Sequence, residues 1–314
     1  MDTLQRTWIS KTVIPNNATI VVGLSGGPDS VFLLHTLAGF QKEKNLTLIA
    51  AHLDHGWRPE SASDAEFCKE LADKYGITYK SKKLSEISIS KDGSKEEIGR
   101  KARRFFFESL AKEYNAAAIT LAHHADDQME NFFIRLIRGA SLNGLVGMKE
   151  KEGLYIRPLL DLKKRDILTF LDEHTIPYLI DPSNESPEFL RNRIRNTVIP
   201  ALRECDNRFD HNFSSTHKNL QETEEFLQQL AKKTLSEISD NNQIIIVKLL
   251  ALHPVLRNRI LINWLITNKV SFTPSQGLLD EIVRFLEQSG EGKHMFYEQW
   301  NLVKEKELVY ISKK

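Results

Sequence analysis

Apolar positions in the first two-thirds of the chain follow two periods in turn. Short β-branched or continuously apolar runs at Ala18–Leu24, Leu46–Leu53, Thr78–Leu84 and Ala116–Ala122 read as strands. Between and after them, Ser30–Phe40, Asp64–Tyr75, Lys95–Tyr114 and Asp126–Arg138 carry the helical period. Val31, Leu34, Leu37 and Ala38 form one stripe, and Met129, Phe132, Phe133 and Leu136 another, so both are expected to face a core. Strands spaced by helices predict an α/β fold, a parallel sheet covered on both faces. After Gly139 a loop, an extended piece at Tyr155–Leu160, an amphipathic Lys163–His174 and a turn-rich loop at Ile180–Pro187 are expected. From about Asp206 the pattern is mainly helical, at Phe213–Ile238, Pro254–Thr267 and Pro274–Ser289, with strand-like pieces at Gln243–Val247 and Glu307–Ile311. The expected layout is a catalytic domain over 1–205 and a smaller, mostly helical domain over 206–314.

Composition narrows this little. The 314 residues are 41% hydrophobic and 27% charged, with a net charge of +1, which neither demands nor excludes nucleic acid. Cys68 and Cys205 are too few for a disulfide framework, a four-cysteine zinc site or an iron–sulfur cluster, which points to a reducing compartment. The first residues lack an apolar core of signal-peptide length, and no run approaches the roughly 20 apolar residues of a membrane span. A cytosolic protein with no membrane partner is expected.

Chemistry concentrates at strand ends. The first strand runs into Ser25-Gly26-Gly27-Pro28-Asp29-Ser30, where a helix begins. Glycines let backbone N–H groups converge, and the helix N-terminus adds partial positive charge, so an anion is favoured there. Ser25 and Ser30 offer hydroxyls, and Asp29 can hold a Mg²⁺ that neutralises phosphate oxygens. The string lacks both the P-loop ending and the dinucleotide spacing. The second strand ends in His52, Asp54 and His55, on the sheet edge where open α/β folds bind ligands. The fourth leads into His123, His124, Asp126, Asp127 and Glu130, with three carboxylates on or near one helix face. Acids favour a helix start for ordinary reasons, but hardly three beside two histidines. They could bind an amino group or a metal.

The loop is similar to the pyrophosphate loop, SGGxDS, of the N-type ATP pyrophosphatases (PP-loop proteins). With HLDHGWR at 52–58, GRKARRF at 99–105, AHHADDQMEN at 122–131, RLIRGA at 135–140, RPLL at 157–160, DPSN at 181–184 and RNRIR at 191–195, it resembles the tRNA(Ile)-lysidine synthetase family. The resemblance spans about residues 18 to 200. It implies a Rossmann-like PP-loop fold and a ligase that uses ATP. In that reaction the wobble cytidine of a CAU anticodon is adenylated at its C2 oxygen, pyrophosphate leaves, and the ε-amine of free L-lysine displaces AMP. The ATP-binding residues would be Ser25, Gly26, Gly27, Pro28, Asp29, Ser30, His52 and Asp54, with Mg²⁺ on Asp29. Asp126, Asp127 and Glu130 would receive the lysine ammonium, and Arg103 or Arg100 its carboxylate. A carboxylate or His123 would act as base, so Asp29, Asp126 and His123 are the catalytic candidates. Arg135, Arg138, Arg191, Arg193 and Arg195 are the main tRNA candidates, with Arg157, Lys163, Lys164 and Arg165 beside them. A homodimer is an open alternative. A related tRNA thiolase would need paired cysteines, which this chain lacks.

Overall fold

The computed structural model describes residues 13–57, 60–90, 92–180 and 189–313. Arg58 and residues 181–188, which hold the DPSN motif and most of the expected turn-rich segment, lie outside them. The chain divides into two compact units, Met1–Phe213 and Ser214–Lys314, so the division falls inside a helix.

In the first unit, β1 (Ala18–Gly23), β2 (Leu46–Asp54), β3 (Thr78–Lys83), β4 (Ala118–Thr120) and β6 (Tyr155–Ile156) run parallel, and the short β5 (Lys151–Glu152) pairs antiparallel to β6. The order is β3-β2-β1-β4-β6-β5. Ile20 and Val22 of β1 enter one core and Val21 the other, which is why the strand is apolar without alternation. Helix α1 (Pro28–Lys44), α2 (Ser61–Lys74) and α6 (Lys164–Glu173) supply the first core. Phe106, Phe107 and Leu110 of α3 (Lys95–Glu113) fill the second.

α1 is buried on more than its expected stripe. Phe32, Leu33, Thr36 and Phe40 are enclosed along with Val31, Leu34 and Leu37, because α6 covers the face that the sheet does not. The rings of Phe32 and Phe170 meet edge-on with centroids 5.1 Å apart.

Helix α4 (Ala125–Ile137) departs from expectation in the opposite way. Met129 is buried, but Leu136 is 49% exposed, so the predicted stripe is wrong at its end. Phe132 and Phe133 pack against Phe209 and Phe213 instead of against the sheet. A short α5 (Leu142–Leu145) interrupts the expected loop. The RNRIR segment is helical: α7 (Leu190–Arg193), a π turn (Ile194–Val198) and α8 (Ile199–Cys205) form one run.

The second unit has more strand than its sequence pattern suggested. α9 (Phe209–Ile238) enters it, followed by α10 (Ile246–Leu250), α11 (Pro254–Thr267) and α12 (Gln276–Glu287). Beside them lies an antiparallel sheet of β7 (Ser239–Asp240), β8 (Gln243–Ile245), β9 (Gly292–Tyr297), β10 (Trp300–Glu305) and β11 (Leu308–Lys313), ordered β7-β8-β11-β10-β9. Trp264, Ile282 and Leu302 centre its core. A buried ion pair between Glu224 and Arg259 ties α9 to α11. Among the described residues no helix is long and apolar enough to cross a membrane.

Because Phe32 is fully enclosed and packed against Phe170, Phe32→Ala is expected to cost about 3–5 kcal/mol of stability. Urea denaturation of the variant against the parent chain measures that loss.

Candidate active site

Strand order reverses between β1 and β4, so the loops leaving their carboxyl ends open into the crevice where such folds bind ligands. The glycine-rich loop leaves β1, and the acidic helix α4 leaves β4. Sequence separates them by about a hundred residues, and this topology makes them neighbours.

The loop is held by its own serines. Ser30 Oγ donates to Gly27 O at 2.9 Å and accepts the Ser25 N–H at 3.1 Å. The Ser25 and Ser30 hydroxyls are 3.1 Å apart, and Gly27 N–H donates to Ser25 Oγ at 3.4 Å. Pro28 occupies the first turn of α1, where a missing N–H costs nothing. Asp29 and Ser30 follow in that same turn, whose N–H groups have no intrahelical acceptors. Gly26 has φ +84°, and a Cβ there would lie 2.7 Å from Leu179 Cδ1, so only glycine fits. Below the loop, burial pushes the Cys68 thiol up to about 12, which makes it an inert packing group.

The second-strand residues turn inward. His52 is buried, with Nδ1 3.0 Å from Leu24 O at the root of the loop, and burial lowers its pKa. Asp54, also buried, accepts the Gly56 N–H at 2.8 Å. Both side chains shape the turn around the loop. His55 stacks on Trp57 at 4.4 Å over Gly99, where a Cβ would come within 2.9 Å of either ring. Arg103 Nη2 lies 3.2 Å from His55 Nε2. Burial and Arg103 push His55 down to about 4, so its neutral ring can accept that bond.

At the start of α4, His124 and Asp127 cap each other: Asp127 N–H reaches His124 Nδ1 at 3.4 Å and His124 N–H reaches Asp127 Oδ2 at 3.0 Å. His124 Nε2 also lies 3.7 Å from Asp29 Oδ1, which joins the loop to the acids. The three predicted carboxylates have different neighbours. Asp126 accepts the Lys164 N–H at 2.8 Å and Arg203 Nη2 at 2.9 Å. Burial pushes its carboxyl up, but those two hydrogen bonds outweigh it and the net pKa is lowered. Asp127 keeps its second oxygen 3.9 Å from Arg195. Glu130, 1% exposed, accepts Arg195 Nε at 2.6 Å and Nη2 at 2.9 Å, with Arg191 Nε at 3.6 Å. Burial raises its carboxyl despite these cations. His123 is pushed down to about 4 by burial, with Arg157, Arg103 and Arg191 acting in the same direction against Asp127. The buried Nδ1 atoms of His55 and His123 have no protein partner.

Several basic residues therefore face inward. Arg191 and Arg195, i and i+4 on the helical run, turn to Glu130, while Arg193 between them is exposed on another face. The three arginines do not form one outward patch. Arg135 donates to Gly144 O at 2.9 Å and Asn131 Oδ1 at 3.2 Å. Arg157 holds Lys149 O at 2.9 Å and Glu152 at 3.1 Å. Arg138 is exposed. Lys164, read from sequence with the tRNA candidates, donates to both oxygens of Asp29 at 2.6 Å. Arg203 was missed, since an isolated arginine after a proline carries no signal; it bridges Asp126 and Asp210.

A divalent cation fits Asp29 only as a shared ligand. Among the described residues no group of three His, Cys, Asp or Glu side chains could hold a metal. A hard carboxylate next to phosphate-binding amides suits Mg²⁺ carried by a polyphosphate, which needs one or two protein carboxylates.

The Glu130 pairing predicts a pH-dependent defect. Arg195→Met would leave a buried carboxylate short of a partner and is expected to cost about 3 kcal/mol at neutral pH. Glu130's folded pKa lies above its unfolded value and would rise further in the variant, so protonation relieves the penalty. The variant's deficit relative to the parent should be small below the unfolded pKa and grow as pH rises through the folded one. Urea midpoints at acidic and neutral pH measure it.

The arrangement is matched by known proteins. The family model described as the PP-loop domain matches residues 3–202. The tRNA(Ile)-lysidine synthase of Bacillus cereus is 32% identical over 292 residues, covering 88% of this chain and 61% of that protein. The Bacillus subtilis protein of the same name is 33% identical, covering 88% of this chain and 60% of its own length. The chain thus spans about 61% of the length of the first of these relatives. The U34-tRNA thiolase NcsA from Methanococcus maripaludis, solved with its [4Fe-4S] cluster, shares the fold at a TM-score of 0.59 and 21% identity, over 70% of this chain and 79% of its own. With the loop after β1, the acidic helix after β4 and a family match across nearly the whole first unit, this chain belongs to the PP-loop family.

Proposed function

We propose that this protein is an ATP-dependent tRNA(Ile)-lysidine synthase. It adenylates the C2 oxygen of the wobble cytidine in a CAU anticodon and joins free L-lysine at C2, releasing pyrophosphate and AMP. The observation that carries this reading is that the SGGPDS loop meets, through the Asp29–His124 contact at the strand-order reversal, the start of the helix that carries Asp127 and Glu130. The Bacillus relatives named tRNA(Ile)-lysidine synthase support the choice of substrate.

The residues divide the work. The first-turn amides of α1, with the Ser25 and Ser30 hydroxyls, receive the triphosphate and stabilise charge on the departing pyrophosphate. Mg²⁺ on Asp29 would neutralise further phosphate charge. His52 and Asp54 support the loop and its neighbouring turn rather than reach for nucleotide. Asp127 and Glu130 receive the lysine ammonium in place of Arg195, and Arg103 takes the α-carboxylate. Asp126 has both oxygens engaged, so we assign it to positioning.

The amine, with an ordinary pKa of about 10.4, must lose a proton before it attacks. His123, held near 4, is a poor acceptor, whereas burial raises the Glu130 carboxyl and makes it the better base. A single-stranded, flipped cytosine is accessible to this chemistry. Arg138 and Arg193 are exposed and are assigned to tRNA phosphates.

Incubation with ATP, labelled lysine and a CAU-anticodon tRNA(Ile), followed by nucleoside analysis, is expected to give a lysine-bearing cytidine. Label that enters no tRNA nucleoside would sink the reading. Asp127→Asn is expected to raise the lysine KM at least about tenfold, the equivalent of about 1.4 kcal/mol, while the KM for ATP changes little.

A further inference from the structure

The carboxylate assigned to the metal already holds a cation. Lys164 Nζ donates to both Asp29 oxygens at 2.6 Å, across 135 residues of sequence. Its placement is fixed by backbone contacts. Lys164 is the first residue of α6, and its N–H is held by Asp126 Oδ2 at 2.8 Å. Ala125 N–H, at the start of α4, donates to Leu162 O at 2.9 Å. The N-termini of α1, α4 and α6 are therefore stitched into one place, with the lysine ammonium among them. The Lys164 and Asp29 side chains keep 31% and 26% exposure, so the pair stands at the mouth of the crevice, open to exchange.

We propose that Lys164 is a resident counter-cation for Asp29, displaced when a nucleotide arrives with its metal, and that its ammonium then pairs with the phosphates. This rests on the adenylation reading above. A divalent cation on Asp29 puts a second positive charge a few ångströms from the ammonium, and their repulsion weakens the lysine's hold on that carboxylate. Once displaced, the ammonium on its flexible four-carbon stem remains beside the loop, where the triphosphate is the new anion. Without metal, losing the ammonium leaves Asp29 unneutralised to repel the phosphates; with metal, the lost phosphate contact is offset because nothing has to leave Asp29 first. Asp126 acts through it as a positioning residue, anchoring the lysine backbone.

Isothermal titration of ATP into the full chain, with Mg²⁺ and separately with EDTA, tests this in the parent and in Lys164→Met. Every substitution keeps the backbone N–H that Asp126 holds, and thermal melting reports folding; Lys164→Gln carries the same test should the methionine variant fail to fold. The parent is expected to bind ATP under both conditions. Loss of the ammonium should weaken metal-free binding at least about tenfold while Mg²⁺-ATP binding changes less than about threefold. Lys164→Arg should stay close to the parent. Equal losses under both conditions, or no loss under either, would overturn the inference, as would a parent that binds ATP only with Mg²⁺. A parent that binds ATP under neither condition would remove the adenylation reading itself.

Discussion

A carboxylate taken out of water without a partner costs several kcal/mol, and the crevice between β1 and β4 gathers Asp29, Asp126, Asp127 and Glu130 within a few residues' reach of one another. Their mutual repulsion is what the surrounding basic side chains answer. Lys164 neutralises Asp29, Arg203 neutralises Asp126, and Arg195 with Arg191 neutralises Glu130. The helical run at 190–205 therefore has to dock along α4, because it carries three of those four cations. Ile194 and Ile199 secure the docking against Met129 and Ile134.

The same balance makes the site responsive. Each cation stands where the proposed chemistry brings another positive group: a metal on Asp29, a lysine ammonium on Asp127 and Glu130. A substrate does not enter an uncompensated acidic pocket but exchanges with a resident partner. That lowers the net gain from binding and gives the site a stable resting state. Asp126 is the exception. Its two oxygens tie α6 and α8 to α4, so it sets the frame within which the other pairs exchange.

How much of this the sequence disclosed depends on range. Parallel strands buried on both faces read as plain apolar runs, so β1, β2 and β4 were legible, and the loop and acids stood at their ends. Partner assignments were not. Lys164 and Asp29 are 135 residues apart, Arg203 and Asp126 are 77, and only the fold decides which arginine turns inward. A charged segment such as RNRIR looks the same whether it faces water or a buried glutamate. Leu136 was misread because α4 packs its phenylalanines on Phe209 and Phe213, a surface that the helical period alone does not reveal. In the second unit, β9 and β10 escaped notice because Lys293, His294 and Lys304 interrupt the apolar pattern. Lys304 is nevertheless buried, its ammonium donating to the carbonyls of Phe285 and Gln288 near the end of α12.

The central claim is that the loop activates the base and the acids deliver the amine, as separable halves of one crevice. Exchange of labelled pyrophosphate into ATP addresses the first half alone. With a CAU-anticodon tRNA(Ile) present and lysine withheld, exchange is predicted to proceed, and to persist when Asp127 is replaced by Asn. Exchange that strictly requires lysine, or that vanishes with the Asp127 substitution, would contradict the account.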